Sequence, residues 1–206
     1  MKRLGWSLLA LLLLLGVALG GLFGTTAGSR WLLQRVPGMQ VEGFAGHLAG
    51  RWQAERLSWQ QGEQRVELLA PRFAWSPGCL LRLTLCIDEL VAEDVQLHFP
   101  PGVEDTDGAP FSLPDIRLPL AWRVERIELG RVRLNEIEQL KGLQLRADWR
   151  GEGLDIHALH LRRADGELQL SGRLQPSGAW PLTLAGEAQL GLIEGQPWTL
   201  ALRLAD

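Results

Sequence analysis

The sequence predicts a mainly β protein: an N-terminal transmembrane helix, a short amphipathic helix behind it, and an antiparallel β-meander over the remainder. Three observations carry this. Leu4 to Phe23 is an uncharged stretch of about 20 residues, the helical length that crosses a bilayer core. From about Val41 the apolar period becomes two, as in strands that are wet on one face and greasy on the other. Turn signals such as Ala164-Asp-Gly166, Pro176-Ser-Gly178 and Glu194-Gly-Gln-Pro197 separate the alternating runs, and no stretch after Pro37 holds a helical period.

Composition sets the outer bounds. A chain of 206 residues with 46% hydrophobic content suits one domain, or a fragment of something longer, with ample material for a core. The net charge of -3 is small and its signs are interspersed. There is no basic footprint for a polyanion, so no nucleic-acid partner is expected.

In chain order, residues 1–24 are expected to be a transmembrane signal-anchor. Lys2 and Arg3 ahead of the apolar run favour a cytoplasmic amino terminus, a bias that Arg30 and Arg35 on the far side weaken. A cleaved signal peptide is the other reading, since Ala18-Leu-Gly20 and Thr25-Thr-Ala27 place small residues at cleavage-like spacing. Either way the remainder is exported. Residues 25–38 follow as a juxtamembrane helix, SRWLLQRV, capped by Ser29 and stopped by Pro37-Gly38. Trp31, Leu32 and Leu33 would lie at the membrane surface with the arginines free to reach headgroups. An ordinary linker helix packed on the domain is the alternative.

Residues 39–206 carry the strands. In FSLPDIRLPLAWRVERIELGRVRL the apolar positions are Ile116, Leu118, Leu120, Trp122 and Val124; the phase then slips and resumes at Ile127 and Leu129. Alternation returns at Leu168, Leu170, Gly172 and Leu174, again from Trp180 through Leu182 and Leu184 to Leu190, and at Trp198, Leu200, Leu202 and Leu204. Residues 100–110, PPGVEDTDGAP, break the series as an exposed acidic loop. Asp105-Thr-Asp107-Gly108 resembles the opening of a calcium loop, but the later oxygen ligands are missing, so a solvated loop is expected.

The two cysteines, Cys79 and Cys86, cannot complete a zinc site alone, and His47 and His98 have no ligand-like spacing to them. Their spacing is not that of a thiol oxidoreductase either. A disulfide remains, and it makes a geometric demand. The two would stand roughly 23 Å apart on a straight strand and about 10 Å apart on one helix, whereas a bridge needs Cα atoms within about 7 Å. The intervening LLRLTL must therefore turn back on itself. Two buried free thiols are the other reading.

No catalytic constellation is present in the sequence. His157 and His160, three apart on a strand, should point to opposite faces and make poor joint ligands. Asp88-Glu89 and Glu93-Asp94 read as solvated edge carboxylates rather than an acid/base pair. Nucleophile elbows, phosphate loops and HExxH are missing, so neither an enzyme nor a cofactor nor a metal is expected. Tryptophans at Trp52, Trp59, Trp75, Trp122, Trp149, Trp180 and Trp198 are scattered, several in the apolar phase, and read as core or groove lining rather than as a carbohydrate platform.

Several landmarks then combine: the anchor, GSRWLLQRVPGMQVEGFAGHLAG, CLLRLTLCIDELVAEDVQLHFPP, the acidic insert and FSLPDIRLPLAWRVERIELGRVRL. The turn built on Gly43, Gly46, Leu48 and Gly50, and the order Cys79, Leu80, Leu85, Cys86, Leu90, Asp94, Val95, carry most of the weight. With these the chain resembles the N-terminal part of TamB, the inner-membrane subunit of the translocation and assembly module and one of the AsmA-like bridge-type lipid transport proteins. The resemblance implies a single-pass inner-membrane protein, its bulk periplasmic, whose curved, groove-like sheet passes phospholipid acyl chains toward the outer membrane. It also implies a role in assembling outer-membrane proteins and autotransporters with the barrel partner TamA, through a C-terminal region that this chain, ending at Leu204-Ala-Asp206, is expected to lack as a truncated start of the groove.

One-sided strands must cover their apolar face, by closing into a sandwich or by holding something apolar, and alternation alone does not choose. For a groove, the expected lining is Leu118, Leu120, Trp122, Leu168, Leu170, Leu182, Leu184, Leu200 and Leu202. For a sandwich, the alternative is a scaffold comparable in size and plan to the anchored N subunit of type II secretion systems.

Overall fold

The structure, a computed structural model, describes residues 2–100, 120–151, 153–175, 181–190 and 198–205. Helix α1 (Lys2–Gly24) occupies the stretch read as an anchor, and α2 (Thr26–Arg35) follows after one residue. Among the described residues no helix is long and apolar enough to cross a membrane. The structure therefore does not carry the transmembrane reading of α1, whose side chains at 2–10 and 12 lie outside those described.

The cap of α2 differs from expectation. Thr25, not Ser29, is the N-cap, its hydroxyl accepting from the Gly28 amide at 3.1 Å. Ser29 lies inside the helix and is fully buried. Its hydroxyl accepts from the Leu48 amide at 3.0 Å and lies 3.3 Å from the Phe23 carbonyl, joining the end of α1 to the first strand turn. The Ala49 amide adds a bond to the same Phe23 carbonyl at 2.8 Å. Helix and sheet thus meet at a hydrogen-bonded corner, and Gly38, at φ 77, turns the chain out of α2 into the first strand.

The strands are β1 (Met39–Glu42), β2 (Ala45–Gly46), β3 (Arg51–Gln53), β4 (Arg56–Gln61), β5 (Gln64–Leu69), β6 (Arg72–Ser76), β7 (Thr84–His98), β8 (Ala121–Leu134), β9 (Ile137–Leu140), β10 (Gly142–Arg150), β11 (Gly153–Arg162), β12 (Gly166–Leu174), β13 (Leu182–Leu190) and β14 (Trp198–Ala205). All belong to one open, curved sheet whose main path runs β1-β4-β5-β7-β8-β10-β11-β12-β13-β14. The described strands form no second layer, so a sandwich is not what they build.

Most neighbours are antiparallel, as expected, but β7 and β8 are parallel. Period-two alternation is the same in both arrangements. What distinguishes them is the connection, because a parallel pair needs a crossover of a dozen residues or more. Residues 99–120 supply it, and the insert expected as an exposed loop falls within this crossover, outside the described residues beyond Pro100.

The strands are also creased. β5 and β6 lie end to end along β7, interrupted at Ala70-Pro71, and β3 and β4 lie end to end beside them, interrupted at Ala54-Glu55. Bonds from the Ala54 amide to Pro71 and from the Ala70 amide to Glu55 keep the interruption paired. Trp52 stacks on Phe44 at a centroid distance of 6.1 Å and lies tilted against Phe73 at 5.8 Å, and Phe44 is buried.

Candidate functional site: an apolar sheet face

From β7 to β14 the apolar residues meet in register. Leu90 pairs with Ile127, Ile127 with Leu145, Leu145 with Leu159, Leu159 with Leu170 and Leu170 with Gly186. One step along the strands, Ala92, Leu129, Leu143, Leu161, Leu168, Ala188 and Leu200 form a second row. On the other side of the first row run Ile87, Val124, Ala147, Ile156, Gly172, Leu184 and Leu204. A last row joins Leu85, Trp122, Trp149, Leu154, Leu174 and Leu182. Paired residues share a face, so the rows form one continuous apolar surface across seven strands.

Irregularities keep the rows on one face. The apolar series in β7 (87, then 90) and β8 (124, then 127) steps by three where two is the strand period, and a one-residue slip normally flips every later side chain. At that step Asp88-Glu89 and Glu125-Arg126 drop out of the ladder, and the register shifts at Arg146/Ala147 in β10 and between Ile156 and Leu159 in β11. The unpaired residues return the phase to the same side. The slip visible in the sequence at Val124–Ile127 is one bulge in a line of bulges crossing four strands. A second gap, at Glu93 opposite Gly130, is closed so tightly that a Cβ on Gly130 would meet the Glu93 carbonyl.

Exposure grades across this face. Ala92, Ala147 and Trp149 are buried, whereas Leu200 is 49% and Leu204 54% exposed. Glycines at 172 and 186 lower the floor, and leucine methyls from the next strand, those of Leu184 and Leu170, lie over them. The result is an apolar surface with small residues between large ones, open to one side.

The opposite face is charged. Glu128, Gln144 and His160 are paired neighbours on it, as are Arg123, Asp148, Asp155 and Arg173. Asp148 is buried beneath Arg150 at 2.7 Å, His157 at 3.3 Å and Arg123 at 3.8 Å. Burial pushes its carboxyl up, but the hydrogen bonds from Arg150 and His157 outweigh this and hold it below the ordinary carboxylate range. Asp94, expected on a solvated edge, is 2% exposed and bound to Arg133 at 2.7 Å and Arg131 at 3.3 Å. His157 and His160, expected on opposite faces, share the charged one because the β11 bulge lies between them. Among the described residues no cluster of three metal-capable groups occurs.

Of the expected lining residues, Trp122, Leu168, Leu170, Leu182, Leu184 and Leu200 fall in these rows. Leu120 is half-buried just ahead of β8. Leu118 and the side chain of Leu202 lie outside the described residues. The middle of the face is not found from the sequence alone: Leu143, Leu145, Leu159 and Leu161. The signal was present in GLQL and ALHL, but the bulges at Arg146 and His157-Ala158 cut each run too short to stand out.

The disulfide is formed, with the Cys79 and Cys86 Cα atoms 6.0 Å apart. The required reversal is a 3-10 turn, Pro77–Arg82, ended by Leu83 in the left-handed conformation at φ 54.

No curated protein and no solved structure matches the chain. A family model described as TamB, N-terminal domain, matches residues 13–110 and 104–205, nearly the whole length. The chain therefore belongs to the family of TamB N-terminal domains.

Proposed function

We propose that the chain is the inner-membrane-anchored start of a periplasmic β-trough that conducts phospholipids toward the outer membrane and supports assembly of outer-membrane proteins and autotransporters, with the barrel TamA as partner. The observation that carries the reading is the apolar surface running unbroken from β7 to β14 on an open sheet, with the charges gathered on the other face. An acyl chain laid along it leaves water at a gain of about 0.8 kcal/mol per methylene. The zwitterionic headgroup stays at the wet rim. In this reading movement is passive, driven by burial of the acyl chain rather than by chemistry at any side chain.

Anchoring is part of the proposal. Helix α1 has 23 residues, a length of about 34 Å at 1.5 Å per residue, against a bilayer core of about 30 Å. Its exposed Leu13, Leu14, Leu15 and Val17 are covered by nothing among the described residues, as suits a lipid-facing helix. Lys2 and Arg3 favour a cytoplasmic amino terminus, against the weaker pull of Arg30 and Arg35.

The test is extraction of the membrane-purified protein with organic solvent under mild purification conditions. Co-purified phospholipid is expected in at least equimolar amount. A protein that carries none, while folded, ends the proposal.

A further inference from the structure

The turn closed by the disulfide carries an unusual surface. Leu81 is 92% exposed, Leu83 69% and Leu80 40%, three leucines and one arginine, Arg82, on seven residues of rigid turn. Single exposed leucines are ordinary on any protein. Three on a tip held closed by a covalent staple are not, because the bridge denies the turn the freedom to fold its side chains back.

Its position is fixed by hydrogen bonds. The turn leaves β6 at Ser76, and the preceding Trp75 donates from Nε1 to the Leu48 carbonyl at 2.7 Å and from its amide to Gly50 at 3.2 Å. That same Leu48–Gly50 loop is bonded to Phe23 at the end of α1 and to Ser29 in α2. The root of the stapled turn and the helix corner therefore meet at the same loop. On the turn's other side the Ala121 amide donates to the Leu83 carbonyl at 3.1 Å, beside the Leu85–Trp122 pair that begins the outermost apolar row.

We propose that this turn is a second membrane contact: Leu80, Leu81 and Leu83 insert into the leaflet at the C-terminal end of α1, with Arg82 at the headgroups, and hold the open end of the apolar face against the bilayer. The inference rests on the anchor reading of α1. A spanning helix alone ties the sheet to the bilayer only through the hydrogen-bonded corner at Phe23 and Ser29. A wedge of three leucines adds a second hold, and places Trp122 and the Leu85 row where an acyl chain would leave the leaflet. A protein docking surface would need the same leucines; the bilayer is favoured because one loop, Leu48–Gly50, bonds both Trp75 at the root of the turn and Phe23 at the end of α1, where Leu19 and Phe23 are themselves exposed.

The experiment places a photoreactive residue, one position per variant, in the full chain reconstituted in nanodiscs of phosphatidylethanolamine and phosphatidylglycerol. The positions are Leu81, Val17 in α1, and Glu63 in the β4–β5 turn as a control. Adducts are identified by mass spectrometry. Lipid adducts at 81 at least fivefold above those at 63 are expected, with adducts at 17 as well. Adducts at 17 but not 81 overturn this inference and leave the anchor standing. Adducts at neither overturn both. Adducts at 81 without 17 keep the turn at the bilayer and overturn the anchor. Protein adducts in place of lipid at 81 overturn the inference in favour of a docking surface. The variant Leu81→Asp with Leu83→Asp, which leaves α1 untouched, should lower lipid adducts from a photoreactive Trp122 severalfold; unchanged yield there overturns the role in holding the open end.

Discussion

Trp122 on β8 and Trp149 on β10 sit at paired positions, yet one is 36% exposed and the other 7%. The outermost apolar row thus holds an enclosed ring and an open one side by side. Trp149 also donates its indole N–H to the Gly151 carbonyl at 3.1 Å, so its polar edge is satisfied where its ring is buried. Trp149→Ala should cost about 3–4 kcal/mol, as deletion of a buried ring does, and Trp122→Ala about 1 kcal/mol. Denaturant unfolding followed by circular dichroism measures both. Equal losses would mean that the two rings are equally enclosed and that the face is a sealed core.

Leu184→Glu tests the trough more directly. Leu184 is half-buried in the row between Gly172 and Leu204. On an open surface the carboxylate can reach water, so the destabilisation should stay near 1–2 kcal/mol, while co-purified phospholipid falls severalfold. In a closed core an unpaired charge costs far more and the chain would not fold.

Asp148 gives the fold a pH dependence. Because its carboxyl is held below the ordinary range in the folded chain, its stabilisation is fully present above the unfolded value, about 3.9, and is lost as pH falls through the folded value. Asp148→Asn should lower stability at pH 7 by roughly 1–3 kcal/mol, with the gap to the native chain closing below about pH 4. A gap that is constant from pH 7 to pH 3 would show that the ion pairs with Arg150 and His157 contribute nothing.

Asp94 should be the more sensitive carboxylate to truncate. Its removal leaves Arg131 and Arg133 without their partner across the parallel β7–β8 pair, where the chain also has to close a long crossover. Because both arginines retain some solvent contact, Asp94→Ala is expected to cost about 2–3 kcal/mol, below the range for a fully buried pair. Thermal unfolding of the variant beside Glu93→Ala, an exposed neighbour, isolates the effect.

Replacing Cys79 and Cys86 together by serine should lower stability by roughly 2.5 kcal/mol, the loop-closure term for so short a ring. A loss near zero would mean that the 3-10 turn is held by its backbone bonds alone.

The legible part of this fold was whatever stayed in phase. Leu168, Leu170, Leu182 and Leu184 sit on uninterrupted alternating strands, where the period of two alone puts each strand's leucines on one face. Where the phase breaks, reading failed for a definable reason: His157 and His160 were assigned opposite faces because a bulge adds a residue without any change in composition. Asp94 read as solvated because the arginines that bury it lie 37 and 39 residues later in the chain, a contact that no local pattern encodes. The parallel β7–β8 pair was hidden in the same way, since its cause lies in the length of a connection rather than in either strand. Ser29 resembled a cap because serine favours helix starts, but Thr25 stands one turn earlier and takes that role.

From β11 onward each strand is paired only with the strand before it and the strand after it. Such a ladder has no preferred number of rungs. Strand length governs its width and strand count governs its reach, and the two can vary independently. Hairpins could be added or deleted in that region with only nearest-neighbour consequences, so the reach of such a sheet changes by whole hairpins rather than by redesigning a core.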